Sequence, residues 1–361
     1  MNIGYFISSH GFGHASRACA LMDKLSKVNH TKFFIFTTTP DWFFKNSLSF
    51  PYEYIETQTD VGLIQATPFT ENIDKTIKAL EKYLPFSEDR NEEFLLLISE
   101  KKLDLILCDI SPFGLWVAEK LGIPSILIEN FTWDWIYENY LEQYPKLGGI
   151  ISRLREFYQL PKMHFTCEPF CVSSRNSIIV SPVFREPRSS KQKIRRQLGL
   201  NDKDQLILVT MGGIPIEQID GNITTISDNI KFLIPIKNMN TNSGKENIIY
   251  LSHKHPYFHP DLVNASDLVI GKLGYSTVAE VFSLGKPFLF IGRKNFRESD
   301  VREKFVREKM SSDDTEINQI FSLQTFEKIQ NLISQNKSKK QLINGADQIS
   351  NLIRVKFYYE K

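Results

Sequence analysis

His10-Gly11-Phe12-Gly13-His14-Ala15-Ser16-Arg17 places two imidazoles and a guanidinium around a glycine turn. An apolar stretch, residues 3–7, precedes it, and a helical pattern through Ala20, Leu21 and Leu25 follows. A strand, a glycine turn and a helix start make a ligand-binding corner of an α/β sheet. His14 sits at the helix start, where an imidazole can take a proton from a hydroxyl near neutral pH. The loop matches neither G-x-G-x-x-G nor a P-loop, since no Gly-Lys-Ser/Thr follows. A general base needs an orienting partner for its second ring nitrogen. Asp109, at the end of an apolar run, is the candidate; the alternative is that it caps the helix after Pro112. His14 could itself be a capping or structural histidine, and His10 ranks second for the base role. His10, Gly11, Phe12, Gly13 and Arg17 are expected on the acceptor side of the site.

A second motif spans residues 265–293, ASDLVIGKLGYSTVAEVFSLGKPFLFIGR. A strand ends at Ile270, and Gly271-Lys272-Leu273-Gly274 turns into a helix near Tyr275-Ser276-Thr277. Such a helix start offers unpaired N–H groups and a positive dipole end, suited to a diphosphate. Lys272 or Arg293 would add charge, and Gly212-Gly213 forms another glycine turn after a strand. Glu280 falls three residues after Thr277, so it shares that helix face and could accept both hydroxyls of a ribose. The competing reading is a capping box, with Ser276 or Thr277 as cap and Glu280 closing it.

Phe131, Trp133, Asp134, Trp135 and Tyr137 follow a strand and are expected to line an acceptor site, with Asp134 binding a hydroxyl; the alternative is an aromatic core patch. His253, His255 and His259 read as a loop that could touch a nucleotide base, because Pro256 and Pro260 break the helix that would align them. Cys19, Cys108, Cys167 and Cys171 form no metal pattern, and Asp313-Asp314 reads as a solvated turn. No Asp-x-Asp stands at a strand end in the first half, so no catalytic metal is expected.

The 361 residues imply two domains, and 44 Lys+Arg against 42 Asp+Glu leave a net charge of +2. That balance gives no field for nucleic acid, and the basic cluster at residues 191–196 reads as a solvated helix face. With no signal-peptide pattern and no apolar run of about 20 residues, a cytoplasmic protein with at most peripheral membrane contact is expected. Strands are expected at 2–8, 32–38, 104–109 and 125–129, with a helix at 113–121 stopped by Gly122 and Pro124. After a linker at 181–199, strands are expected at 205–210, 231–236, 247–251, 268–270 and 287–291, an exposed turn at 241–246, and two helices between 323 and 353. This is α/β alternation with two parallel sheets. The expected boundaries are 1–181, 182–335 and a helical tail at 336–361 that packs back on the first domain, with ligands in a cleft between domains.

The two motifs together resemble those of GT-B glycosyltransferases, whose fold pairs two Rossmann-like domains facing such a cleft. Residues 274–287 are similar to the family's donor signature, Gly-x-x-Thr-x-x-Glu followed by Gly-x-Pro. By that resemblance Glu280 is the ribose-binding glutamate, and residues 274–277 hold the nucleotide diphosphate. His14 falls on the N-terminal histidine shared by lipid-II-forming GlcNAc transferases and plant UDP-glycosyltransferases, and in the latter an aspartate at the strand end matching Asp109 orients it. A narrower likeness joins residues 10–17, Asn130-Phe131-Thr132-Trp133-Asp134-Trp135-Ile136-Tyr137 and Gly271-Lys272-Leu273-Gly274-Tyr275 to the glycosyltransferase-like region of plant L-arabinokinases and related microbial proteins. It covers most of the chain and is weak over residues 48–101. The kinase half of those enzymes is absent here, so kinase activity is not carried over.

The resemblance implies metal-independent, inverting transfer from a nucleotide sugar, UDP-linked, to an acceptor hydroxyl on a small molecule, glycan or lipid-linked compound, with no cofactor. Plant enzymes read the donor sugar through an Asp/Glu-Gln pair. This chain has Asn295-Phe296-Arg297-Glu298-Ser299 there, leaving Arg297 and Glu298 as sugar or phosphate contacts and the sugar unread. Alternatives on the same fold are a sugar-nucleotide epimerase and a non-catalytic nucleotide-sugar sensor.

Overall fold

The computed structural model describes all residues except 29, 68–69, 212–228, 237–246, 253–254, 293–296, 337–341 and 360–361, and at 66, 67, 70 and 359 the backbone alone. Two compact units emerge: Met1–Val183 with Ile343–Lys361, and Phe184–Leu342.

In the first unit the order is β1 (Asn2–Ile7), α1 (Phe12–Leu25), β2 (Lys32–Thr37), α2 (Asp41–Ser47), β3 (Glu53–Glu56), the short pair β4 (Gln65–Thr67) and β5 (Thr70–Glu71), α3 (Ile73–Tyr83), α4 (Glu88–Lys101), β6 (Leu105–Asp109), α5 (Pro112–Leu121), β7 (Ser125–Glu129), α6 (Trp133–Glu138), α7 (Leu147–Tyr158), β8 (Met163–Cys167) and β9 (Ile178–Val180). Seven strands form one sheet in the order β3-β2-β1-β6-β7-β8-β9, with every pairing parallel. Both faces are covered, so β6 and β7 are buried along their whole length and read as continuous apolar runs. The strand order reverses between β1 and β6, where open α/β sheets hold ligands beyond the strands' carboxyl ends.

The second unit runs α8 (Lys191–Gln197), β10 (Gln205–Thr210), β11 (Ile230–Ile236), β12 (Ile248–Ser252), α9 (His259–Ala265), β13 (Leu268–Lys272), α10 (Tyr275–Ser283), β14 (Phe288–Ile291), α11 (Ser299–Lys309), β15 (Ser312–Asp314) and α12 (Leu323–Gln335). Its parallel sheet has the order β12-β11-β10-β13-β14-β15, reversing between β10 and β13. Its core packs Leu206, Leu208, Val269 and Phe288 on one face and Ile207, Val209, Ile270 and Leu289 on the other, as period-two alternation requires.

The helix α13 (Gly345–Arg354) belongs to the first unit. Lys24 of α1 pairs with Asp347 at 3.0 Å, and Ser181 N–H donates to Gln348 Oε1 at 2.8 Å. Gly345 is needed here, since a Cβ would lie 2.0 Å from the Ser181 carbonyl oxygen.

Three local expectations are corrected. Pro260 starts a helix instead of breaking one, because its missing N–H costs nothing in the first turn of α9. The basic cluster of α8 is not wholly a solvated face: Arg195 is buried and bonds Asp267, the Asp204 carbonyl and the Ala265 carbonyl. Residues 313–314 lie in edge strand β15, where Asp313 and Asp314 accept from Lys328 and Arg307. The turn expected at 241–246 lies outside the described residues.

Candidate functional site

At the reversal point of the first sheet, the loop after β1 and the end of β6 converge. Gly11 caps α1 with φ +84°, a conformation glycine adopts without strain. His14 therefore emerges in the first turn of α1, and His14 Nδ1 lies 2.7 Å from Asp109 Oδ1. Neither capping alternative holds: no side chain caps α1, and Ser111, not Asp109, caps α5 by accepting from Gly114 N–H. The residue after Asp109, Ile110, is held at φ +48°, a strained region for a β-branched side chain. That turn separates the strand end bearing Asp109 from the cap of α5.

Arg17 grips the same carboxylate through Nε and Nη2, at 2.7 Å to Oδ2 and 2.6 Å to Oδ1, and Nη1 donates to Asn130 Oδ1 at 2.9 Å. Burial raises the pKa of Asp109, but the Arg17 charge and the bonds from Arg17 and His14 outweigh it and hold the carboxyl below its usual range. Expected on the acceptor side, Arg17 is instead 1% exposed and spent on Asp109 and Asn130, so it is a buried anchor. Among the described residues nothing hydrogen-bonds His14 Nε2. The ring edge meets Phe131 at 5.8 Å, and His14 remains 7% exposed.

His10 is half-buried, packed edge-on to Trp133 at 5.2 Å, while Phe12 stacks on Phe43 at 4.9 Å. Gly11 is exposed and Gly13 half-buried, both beside His14. The aromatic segment divides by helical spacing. Trp133, Ile136 and Tyr137 of α6 face inward, whereas Asp134, Trp135 and Glu138 line a cavity of about 300 Å³. Trp133, expected to touch the acceptor, is thus corrected to core: it is 1% exposed, with Nε1 donating to Asp60 Oδ2 at 2.8 Å. Burial pushes the Asp60 carboxyl up, against the lowering effect of bonds from Ser8 and Trp133. Asp60 carried no sequence signal, since it lies in the 48–101 region where no motif stands.

In the second unit α10 begins at the reversal point, directly after β13. Gly274 is its N-cap and no side chain caps it. The capping box is therefore not formed, because the third helical residue is Thr277 and not Glu280. Gly274 has an ordinary φ of −91°, and a Cβ there would meet nothing nearer than Thr277 Oγ1 at 3.9 Å. Neither backbone nor packing demands glycine at this turn. Lys272 and Ser276 are half-buried, and Tyr275 and Thr277 are buried.

Glu280, expected to present its carboxylate to a ribose, is 1% exposed with both oxygens engaged: Arg185 Nε at 2.9 Å and His259 Nδ1 at 2.7 Å. Burial raises its pKa, but the Arg185 charge and the His259 bond outweigh that, and the net direction is down. His259 Nε2 lies 3.1 Å from Thr210 Oγ1. Arg185 and His259 were missed as partners because they lie 95 and 21 residues from Glu280. Glu298 is buried and ion-paired with Arg302, while Arg297 is half-buried. Gly212, Gly213, Arg293 and His253 lie outside the described residues.

A family model described as glycosyl transferase family 1 matches residues 1–319. An Arabidopsis thaliana L-arabinokinase is 29% identical over 312 residues, covering 84% of this chain and 29% of that protein. A Bacillus subtilis UDP-N-acetylglucosamine--N-acetylmuramyl-(pentapeptide) pyrophosphoryl-undecaprenol N-acetylglucosamine transferase is 22% identical, covering 49% of each chain. The chain thus spans less than two thirds of the length of these curated relatives. Among solved structures, a Polygonum tinctorium UDP-glucosyltransferase superposes with a TM-score of 0.63 at 12% identity, covering 100% of this chain and 99% of that one. MurG of Acinetobacter baumannii gives 0.55 at 13%, covering 98% and 99%. The fold is GT-B, and the chain belongs to glycosyl transferase family 1.

Proposed function

We propose that this member of glycosyl transferase family 1 moves a sugar from a UDP-linked donor to an acceptor hydroxyl, with inversion and without a metal. The observation that carries the reading is the His14–Asp109 pair, 2.7 Å apart at the reversal point of the first sheet, with His14 Nε2 left open. Asp109 accepts from Nδ1–H and so fixes the tautomer whose Nε2 lone pair can take a proton. Arg17 offsets the Asp109 charge, so the carboxylate acts mainly by orienting the ring.

The step balances simply. The acceptor O–H proton goes to His14 Nε2. The freed oxygen attacks the anomeric carbon opposite the leaving group. The bond from that carbon to the diphosphate oxygen breaks, and UDP departs with the electron pair. The uncapped amides at the start of α10 would stabilise the charge developing on the diphosphate, with Lys272 adjacent. Glu280 serves this half-site by holding His259 and Arg185 in place.

Gly274→Val tests the donor half. A Cβ at this position meets nothing nearer than Thr277 Oγ1 at 3.9 Å, and the valine methyls beyond it would crowd a group bound at the helix start. Calorimetry with UDP is expected to show binding to the wild type and at least a tenfold loss in the variant, about 1.4 kcal/mol. Absent UDP binding, or equal affinity in both proteins, would overturn the reading.

A further inference from the structure

Three described residues other than glycine have positive φ, and Ile110 alone among them is β-branched. It directly follows Asp109, it is fully buried, and its φ is +48°. Such a conformation persists only where the surroundings hold it. Three contacts do so. The Ile110 N–H donates to the Ile128 carbonyl at 3.3 Å, the residue bridges to Ile7, and its carbonyl accepts from the Tyr158 hydroxyl at 3.0 Å. The first two are backbone contacts, open to almost any residue. The third comes from a side chain at the end of α7, 48 residues further on.

The Tyr158 oxygen also lies 3.5 Å from the Trp133 backbone nitrogen at the start of α6. One hydroxyl thus donates to the turn after β6 and accepts, over a longer bond, from the segment after β7. Those two segments adjoin Asp109 and Phe131, which flank the His14 ring. Asp109 Oδ1 is 2.7 Å from His14 Nδ1, and the Phe131 ring lies edge-on at 5.8 Å between centroids.

The Tyr158 ring packs against the apolar cluster that includes Phe113, Trp116 and Leu127, and phenylalanine would serve that packing as well. The hydroxyl is there for its hydrogen bonds. Burial, with Asp134 and Asp60 nearby, pushes its pKa well above the usual tyrosine value, so it keeps its proton and stays a donor.

We infer that Tyr158 is a positioning residue for His14: its hydroxyl ties the strained turn beside Asp109 to the segment beside Phe131 and so fixes the imidazole between them. The tie itself needs no substrate; its use in transfer rests on the general-base role proposed for His14.

Tyr158→Phe tests it on the full chain without ligand. Isotope-labelled histidine, followed by nitrogen NMR in mildly alkaline buffer, reports the tautomer of each ring, and His14→Ala identifies the His14 signals by their loss. In the wild type His14 is expected as one tautomer, protonated at Nδ1. Tyr158→Phe, confirmed folded by circular dichroism, is expected to draw the two His14 nitrogen signals towards each other, as a mixture of tautomers does, with the His259 signals unmoved. Tyr54→Phe is the control. It removes a hydroxyl that donates to the Thr39 carbonyl at 2.9 Å, beyond the end of β2, and is expected to leave His14 unchanged. Unmoved His14 signals in Tyr158→Phe, or an equal shift in Tyr54→Phe, overturn the inference. Mixed tautomers already present in the wild type overturn it together with the His14–Asp109 pair. The expected shift in a protein that calorimetry shows not to bind UDP leaves the positioning intact and strikes only its use in transfer.

Discussion

Each unit builds the same three-residue device at its sheet's reversal point. In the first, Asp109 lies between Arg17 and His14; in the second, Glu280 lies between Arg185 and His259. Both carboxylates are almost fully buried, both are held low by an arginine and a histidine, and both histidines bond through Nδ1 at 2.7 Å. They part at the other ring nitrogen. His259 Nε2 meets Thr210 Oγ1 at 3.1 Å, whereas no described residue hydrogen-bonds His14 Nε2. A histidine with both nitrogens occupied holds a scaffold together; one with a nitrogen open can do chemistry. The difference teaches that burial and a shared carboxylate do not by themselves mark a catalytic histidine.

The sharpest way to break this comparison is to delete each imidazole. His14→Ala should cut the transfer rate by about 10²–10⁴-fold while leaving UDP affinity unchanged. His259→Ala should do the reverse, weakening UDP binding with the chemical step preserved in single-turnover measurements. Equal rate losses in both variants would erase the distinction. Removing the carboxylates should instead equalise the units. Asp109→Ala and Glu280→Ala each strand a buried arginine, and each should cost roughly 3–5 kcal/mol of the unfolding free energy of its own unit. Denaturant titration of the two proteins checks this, and a near-neutral result in one unit would show that its arginine has an alternative partner.

Acid should act on both units in the same direction. Asp109 and Glu280 have folded pKa values below their unfolded ones, near 3.9 and 4.3. Their contribution to stability is full above those unfolded values and is lost as pH falls through the lower folded values. Stability measured between pH 5 and pH 2 should therefore fall, and Asp109→Asn should flatten part of that slope. A slope unchanged by the substitution would mean that other carboxylates carry the acid sensitivity.

Much of this was legible along the chain. Apolar runs bounded by glycine, proline or a polar cap located β7 and β10 at the bounds observed. His14 followed from the glycine turn, and Asp109 from its place at the end of a parallel strand. Arg17 was within reach too: three residues after His14 on one helix, it shares that face. The split of α6 into an inner face of Trp133, Ile136 and Tyr137 and an outer face of Asp134, Trp135 and Glu138 could also be read from its spacing. Reading the aromatics as one group hid it.

By itself the sequence determined the alternation of strands and helices, the two glycine-led turns and the residue types available at each, because those depend on local periodicity and backbone freedom. Only the tertiary structure decided which carboxylate each guanidinium neutralises, which imidazole keeps a nitrogen open, and that the Tyr158 hydroxyl reaches both Ile110 and Trp133. Those outcomes depend on groups tens of residues apart competing for the same buried partner, and local spacing carries no record of who wins.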